Sequence, residues 1–530
     1  MKTKRILCAL LGAAMAVTAL AGCGGNGSSG SSGSSTPTGG SSSTAGTGDD
    51  GAYTDVTVFC PNTSSMPMNN DVLVLQQLSE ITKTNFDFTV SPSTGTDEKF
   101  NLMMSSGSVP DMVIYVSDPI LKYYKAFAPL NDLISEYCPN YEALMNEYSF
   151  LRKDLTSADG NIYTIQSKAA FRFANGVIVR QDWLDKLNLS VPTTTEEYYQ
   201  VLKAFKEQDP NGNGEADEIP LIASDGRRGD AESPGLSMLD AAFGIDEDFY
   251  VSDDGSEILF GAIDSRMKDA LTYLNRLYSE GLIDQEYLTR DYSTIDGLIS
   301  ESRAGMWIAW GISVEEAASI QDQNADLAVI LPPADESIGK PRIYSQMPQT
   351  RTNAVAISKD SKVKEHIMSI WNYVFSEEGT QLMNFGVEGT TYTLADGKPV
   401  YTDEILKSDD GPLTAARKYG INTWLPHNQL ASAEFGRTAG DGKFEAAVSF
   451  YDPYIVEPVP ALKFTDEEKS TITSVYEGEI KTYLDESLDA FITGKKPLSE
   501  FEDFVAQMKK MGIEDILKIY NDAFQRYNAL

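Results

Sequence analysis

Two hydrophobic periods alternate along the first part of the chain after residue 50. Asp55-Val-Thr-Val-Phe59 puts apolar side chains on every second position, which predicts a strand ending at Cys60-Pro61-Asn62-Thr63. From Val72 to Ile81 the apolar residues recur at helical spacing. Phe86-Asp-Phe-Thr-Val90 predicts a second strand, Phe100 to Met104 a helix stopping at Ser105-Ser-Gly107, and Asp111-Met-Val-Ile-Tyr-Val116 a third strand. Strands alternating with helices predict an α/β sheet, largely parallel, with helices on both faces. Ligands of such sheets sit beyond the carboxyl ends of the strands. That rule nominates Asn62 after the first strand and Asp118 after the third.

The same reading continues downstream. Gly160–Gln166 and Gly176–Arg180 predict strands, between which the chain is expected to cross to a second lobe. Gln181–Leu187 is helical, and Pro192-Thr-Thr-Thr-Glu-Glu197 predicts a helix start with Thr at the cap and Glu in the first turn. Met267–Leu282, Val363–Phe375 and Glu378–Phe385 predict helices, and Gly305–Trp310 and Asn353–Ile357 predict strands. The tail from Asp466 is helical, broken at Gly494 and Gly512.

The N-terminus belongs to neither pattern. Lys2, Lys4 and Arg5 precede an apolar run from Ile6 to Leu20, too short for a comfortable bilayer span. Small residues follow, then Cys23 directly after Leu-Ala-Gly. A basic head, a short apolar core and a small-residue cut site describe a secretory signal peptide over residues 1–22. Leu20-Ala-Gly-Cys23 resembles a bacterial lipobox, which implies cleavage before Cys23 and acylation (palmitate among the lipids) of its sulfur. The alternative is an ordinary signal peptide with an incidental cysteine, or an uncleaved anchor. Residues 24–50 are almost wholly Gly, Ser and Thr and cannot form a core. They form, with Cys23, a tether over 23–51 whose mean reach is roughly 30 Å. A lipid-anchored position on the extracytoplasmic face of the cell membrane is therefore expected.

Charge narrows the partners. The 530 residues carry 43 basic and 78 acidic side chains, a net charge of −35, and loss of a leader with three basic and no acidic residues makes it −38. Nucleic-acid binding needs cationic side chains against phosphates, so no nucleic-acid partner is expected. Of the four cysteines, Cys60 and Cys138 lie in the body. Their unrelated spacing favours two separate thiols over a disulfide framework. With only His366 and His427, far apart in sequence, a histidine-rich zinc site is excluded and a Ser-His-Asp arrangement is disfavoured.

The sharpest chemical pattern is Asp209-Pro-Asn-Gly-Asn-Gly-Glu-Ala-Asp-Glu218. Oxygen-bearing side chains alternate and Gly214 sits at the sixth position, as in the opening of an EF-hand calcium loop. Asp209, Asn211, Asn213 and Asp217 would donate side-chain oxygens and Glu215 its carbonyl. Pro220 occupies the twelfth position, where that loop has a bidentate Glu, so Glu218 would have to close the site. The alternative is a solvated Asn-Gly turn. A bound Ca2+ would be structural.

A series of ordered stretches carries a family resemblance. They include Ser105-Ser-Gly-Ser-Val-Pro-Asp111, Arg180-Gln-Asp-Trp-Leu-Asp-Lys-Leu187, Ala204 to Gly214, Leu277-Tyr-Ser-Glu-Gly-Leu-Ile283, Gly386-Val-Glu-Gly389 and Phe491-Ile-Thr-Gly-Lys-Lys-Pro497. In this order they resemble the bacterial extracellular solute-binding proteins of family 1, in particular the large lipoproteins similar to alginate- and oligosaccharide-binding proteins of ABC transporters. The resemblance implies calcium in the 209–218 loop, closed by the acid at the tenth position, Glu218. It implies a periplasmic-binding-protein-like (type II) clam-shell of two α/β lobes joined by hinge crossings. By analogy the first lobe takes 52–170 and 347–388, and the second takes 171–346 and 389–530 with the calcium loop. The implied function is capture of a carbohydrate, in particular an oligosaccharide, by a monomeric binding protein that is no enzyme, and its delivery to an ABC permease. A surface glycan-active enzyme, or a receptor for a membrane signalling partner, are the competing readings.

Sugars offer flat C–H faces and many hydroxyls, so their sites combine aromatic plates with Asp, Asn, Arg or Gln. Trp307 and Trp310 fall on opposite faces of one predicted strand; Trp310, at its end, is the expected cleft residue. Trp424 sits in the loop-like Asn-Thr-Trp-Leu-Pro. Arg351 at the presumed return crossing and Glu388 in Val-Glu-Gly join Asn62 and Asp118 as polar candidates, each equally readable as a surface or hinge residue.

Overall fold

The computed structural model describes residues 52–92, 94–172, 175–223, 235–310, 319–344, 348–438 and 442–530, without the side chains of Tyr292 and Trp310. Cys23, the leader and the tether lie outside the described residues. Up to residue 357 the strands are β1 Thr54–Asn62, β2 Thr84–Pro92, β3 Met112–Val116, β4 Ile165–Lys168, β5 Asn175–Arg180, β6 Ile219–Ile222, β7 Phe249–Val251, β8 Ile258–Phe260, β9 Ala304–Trp310, β10 Leu327–Ile330, β11 Ile343–Tyr344 and β12 Thr350–Ile357. Five form one sheet in the order β2-β1-β3-β12-β4, and four form another in the order β10-β5-β9-β6.

Period-two alternation decides which side chains enter which core. In the first sheet Val56, Val58, Ile114 and Val355 enter one cluster, while Phe59, Val113, Tyr115 and Ala354 enter the cluster on the opposite face. In the second, Val177, Val179, Met306 and Ile308 face one core and Ile178 and Trp307 the other. Each sheet is thus covered on both faces, as its apolar strands require. The Gln181–Leu187 and Thr195–Glu207 helices follow β5, the latter started by a Thr194–Glu197 capping box. They press Trp183 and Phe205 edge to face onto β9. There Gly305 is required, because a Cβ would stand 2.4 Å from the Phe205 ring.

The largely parallel sheet predicted from the sequence holds for the first sheet, where β1 pairs parallel with β2 and β3; β12 and most of the second sheet depart from it. β12 runs antiparallel to both β3 and β4, and in the second sheet only β6 and β9 are parallel. The cause is the double passage between sheets. The chain leaves the first sheet after β4, enters the second at β5, and returns at β12 from the opposite direction to β3.

These passages form a hinge. The Ala169 N–H donates to the Gln349 carbonyl at 2.8 Å, and the Gln429 N–H to the Lys168 carbonyl at 3.1 Å. Three segments, after Lys168, before Thr350 and around Asn428, therefore run hydrogen-bonded side by side between the sheets. Tyr392, Tyr401, Ile421, Leu425 and Ala433 share the core of the first sheet. The C-terminal helices pack Leu484, Phe491, Phe504 and Ile513 into the core of the second.

Cys60 and Cys138 are separate buried thiols, and burial pushes both up to about 12. His427 is fully enclosed with Nδ1–H donating to the Leu425 carbonyl at 2.9 Å, and His366 Nε2 meets Thr84 Oγ1 at 2.9 Å. Burial lowers both imidazoles below their ordinary 6.5. The unfolded chain therefore takes up these protons as pH falls below about 6.5 while the folded one does not. Stability is expected to hold above pH 7 and then to decline by up to about 1.4 kcal/mol per pH unit per histidine until each folded pKa is reached. Urea unfolding at pH 7.5, 6.5 and 5.5 checks this, and equal free energies at all three would refute it.

Candidate functional site

The carboxyl edge of the first sheet faces the crossings. β3 ends at Val116, whose register partner on β12 is Asn353. Asn353 Nδ2 donates to the Thr423 carbonyl at 3.4 Å. Two residues back along β12, Arg351 Nε donates to Gln429 Oε1 at 3.1 Å. Two residues beyond Val116 stands exposed Asp118, in the first turn of the short Ser117–Lys122 helix. Asp118 and Arg351 thus lie two residues either way from the Val116–Asn353 pair, and Trp424 follows the Thr423 that Asn353 holds. Burial pulls the Arg351 guanidinium down from its ordinary value, and nearby Glu434 opposes this.

The segment from Thr423 to Asn428 is unusual in its polar atoms. Thr423 Oγ1, Trp424 Nε1 and Asn428 Oδ1 are buried with no hydrogen-bond partner among the described residues. Native structures leave few such atoms, and each asks for an explanation. Here three fall within six residues beside the hinge. The Trp424 ring packs half-buried on the core of the first sheet, so its plane is held in place.

The other candidates separate. Asn62 ends β1 but spends its Oδ1 on the Met68 N–H at 2.7 Å, closing its own loop. Glu388 lies exposed in a turn closed by Gly389 and Tyr392. Trp310 ends β9 opposite Asn175, with its side chain outside the described residues. Trp307 is buried in the core, as the alternation requires. Asn353, Thr423 and Asn428 were missed from the sequence, where an isolated Asn or Thr carries no motif.

The 209–218 loop turns oxygens inward. Asp209, at a left-handed φ of 46°, accepts the Gly212 and Gly214 N–H groups at 2.9 and 3.1 Å. Asn211 and Asn213 Oδ1 accept the N–H groups two residues on. Asn213 Nδ2 donates to Asp217 Oδ1 at 3.0 Å, and Arg303 Nε pairs with Asp217 Oδ2 at 3.0 Å. Glu218 Oε1 is buried without a hydrogen-bond partner among the described residues. Burial, then the charges of Asp209 and Asp217, raise the Glu218 carboxyl above its usual range. Three mutually repelling carboxylates and an orphaned oxygen suit a hard cation. As oriented, however, no group of three or more His, Cys, Asp or Glu side chains among the described residues stands ready to hold a metal.

Two α/β sheets on separate cores, tied by three crossing segments, define the two-lobe clam-shell architecture of a binding protein. The family model for bacterial extracellular solute-binding proteins matches residues 73–381, more than half of the chain. The chain belongs to that family. It is similar to the fructooligosaccharide ABC transporter substrate-binding protein FusA of Streptococcus pneumoniae, 26% identical across 88% of this chain and 90% of the relative. Its fold matches the alginate-binding protein AlgQ2 solved without calcium ion, with TM-score 0.67, 24% identity and 89% and 98% of the two chains covered. It also matches a FusA EF-hand mutant from S. pneumoniae in complex with fructo-nystose, with TM-score 0.70, 22% identity and 90% and 100% covered. Among the described residues no helix is long and apolar enough to cross a membrane.

Proposed function

We propose that this chain is a lipid-anchored extracytoplasmic binding protein that captures an oligosaccharide between its lobes and hands it to an ABC permease. The observation that carries the reading is the pair of buried polar atoms without partners among the described residues, Thr423 Oγ1 and Trp424 Nε1, in the segment that Asn353 holds opposite the end of β3, with Arg351 two residues back and Asp118 two residues beyond that strand position. Hydroxyl-rich ligands satisfy such atoms, and a fixed indole offers the flat apolar face that a sugar ring covers. The likeness to a fructooligosaccharide-binding relative over nearly the whole chain supports the same class. Closure follows from contact: a solute touching both lobes only when they meet stabilises the closed state. Asn62, Glu388 and Trp310 stay proposed as outer contacts. Lobe boundaries that follow the cores give 52–170 and 347–433 to the first lobe and the remainder to the second. Cys23 would carry the lipid, and Asp209, Asn211, Asn213, Glu215, Asp217 and Glu218 would hold a structural Ca2+. That ion would supply charge neutralisation and no chemistry.

Calorimetric titration with fructo-oligosaccharides, malto-oligosaccharides and oligogalacturonides tests the reading. Saturable binding without shortened products is expected; no binding to any of them, or their hydrolysis, would overturn it. Trp424→Ala is expected to weaken that binding by about 2 kcal/mol, roughly 30-fold, through lost apolar cover and one lost hydrogen bond. Trp424→Phe should recover about half. Unchanged affinity in Trp424→Ala would remove the residue from the site.

A further inference from the structure

We propose that a second cavity, formed where the first lobe meets the C-terminal helices, is an outer carbohydrate subsite that reads the length of the captured chain, with Lys463 as its hydroxyl-recognising residue. This rests on the oligosaccharide reading above. The cavity encloses about 690 Å3 and takes Asp118 and Asp159 from the first lobe and Lys463, Phe464, Glu477 and Tyr520 from the second. That volume lies within the range of small-molecule sites. It shares Asp118 with the candidate site beyond β3.

Lys463 is held by its backbone and left free at its tip. Arg526, paired with Glu468 at 2.6 Å, donates from Nη2 to the Lys463 carbonyl at 3.2 Å. Among the described residues the Nζ takes part in no hydrogen bond or ion pair. Burial pulls the ammonium below the ordinary lysine range, and Asp154 and Asp118 oppose this only through space. Asp154 is already engaged, accepting from Thr350 Oγ1 at 2.6 Å and from the Tyr527 hydroxyl at 2.9 Å. A crowded ammonium with three unspent donors, facing a cavity, is costly for the protein alone and useful to a ligand.

The rest of the lining suits sugar. Tyr520 stacks on Phe249 with ring centroids 3.8 Å apart and planes 7° from parallel, and Phe464 lies 5.0 Å from it. The tyrosine ring is therefore a plate braced from behind. Ile472, Thr473 and Glu477 come from a π-helical segment, Ile472–Ile480, a rare conformation found often at functional sites. The lining carries four carboxylates, Asp118, Asp159, Asp466 and Glu477, against the ammoniums of Lys122, Lys463 and Lys469. That balance disfavours a phosphate or uronide and fits neutral hydroxyls, which accept from lysine and donate to carboxylates.

The test is calorimetry on the full chain, wild type, Lys463→Met and Lys463→Gln, with the trisaccharide and pentasaccharide of the fructo- and malto-oligosaccharide series. In the series that binds, Lys463→Met should weaken the pentasaccharide about tenfold and the trisaccharide less than about twofold, with Lys463→Gln between. Melting temperature should hold or rise, because no native partner of the ammonium is lost. Equal losses at both lengths, no loss at either, or a fall in melting temperature would overturn the subsite. Failure of the wild-type chain to bind any saccharide would instead overturn the oligosaccharide reading, and the subsite with it.

Discussion

Arg180→Met is expected to cost about 3 kcal/mol of stability, read as a lower urea midpoint with an unchanged slope. Arg180 ends β5 and is fully buried. Its Nε and Nη2 donate to the two Asp182 oxygens at 2.8 and 2.6 Å, Nη2 also reaches Asp322 Oδ2 at 3.1 Å, and Nη1 donates to Ser302 Oγ at 2.5 Å. The guanidinium also lies 4.8 Å from the Trp183 ring. One side chain thus ties a strand end, the helix after it and two loops of the second lobe. Removing one partner of a buried pair costs about 3–5 kcal/mol. The low end applies because the Asp182 and Asp322 side chains keep 18% and 26% exposure and can rehydrate. Arg180→Lys should lose about half as much, since one ammonium cannot reproduce the two-pronged contact. A Met variant within about 0.5 kcal/mol of wild type would show that the network is energetically idle.

Chelation should have a comparable effect if the 209–218 loop holds calcium. A ligand at 1,000 times its Kd stabilises the folded state by about 4 kcal/mol. Adding EDTA to protein in excess Ca2+ should therefore lower the melting temperature by several degrees, and Ca2+ but not Na+ should restore it. Asp217→Ala should mimic chelation and abolish the response. The expectation rests on Glu218 Oε1 lacking a partner while Asp209 and Asp217 crowd its charge. Turning the Asn211 and Asn213 amides end for end would add oxygens toward Asp217, where their Nδ2 groups point now. A melting temperature indifferent to both EDTA and Asp217→Ala would leave the loop as a hydrogen-bonded turn.

The legibility of the molecule in its sequence followed the range of the interactions. The strand foreseen at Asp55–Phe59 is the core of β1, and the helix foreseen at Val72–Ile81 is Leu73–Thr82. The Thr194–Glu197 cap and the helix breaks near Gly494 and Gly512 also stand where the local chemistry put them. The parallel run of β1, β2 and β3 was legible, but the direction of β12 was not, because it is set by where the chain returns from, some 180 residues after β4. For the site, the carboxyl-edge rule nominated both Asp118, which stands exposed just beyond β3, and Asn62, whose oxygen is taken by its own loop.

Pattern and composition alone established an acidic body of alternating strands and helices and an oxygen-rich loop at 209–218, and they carried the expectation of a secretory leader with a lipobox-like cysteine. Each follows from residues adjacent in sequence or from totals that folding does not change. Only the tertiary structure decided that Thr423 Oγ1 and Trp424 Nε1 are buried without partners among the described residues, that Arg180 knots the second lobe, and that the Lys463 ammonium, in a cavity lining, has no hydrogen bond or ion pair among those residues. Those facts depend on which groups other segments have already satisfied, and a hydrogen-bond donor or a charge is spent or left over only once the chain has brought its distant partners together.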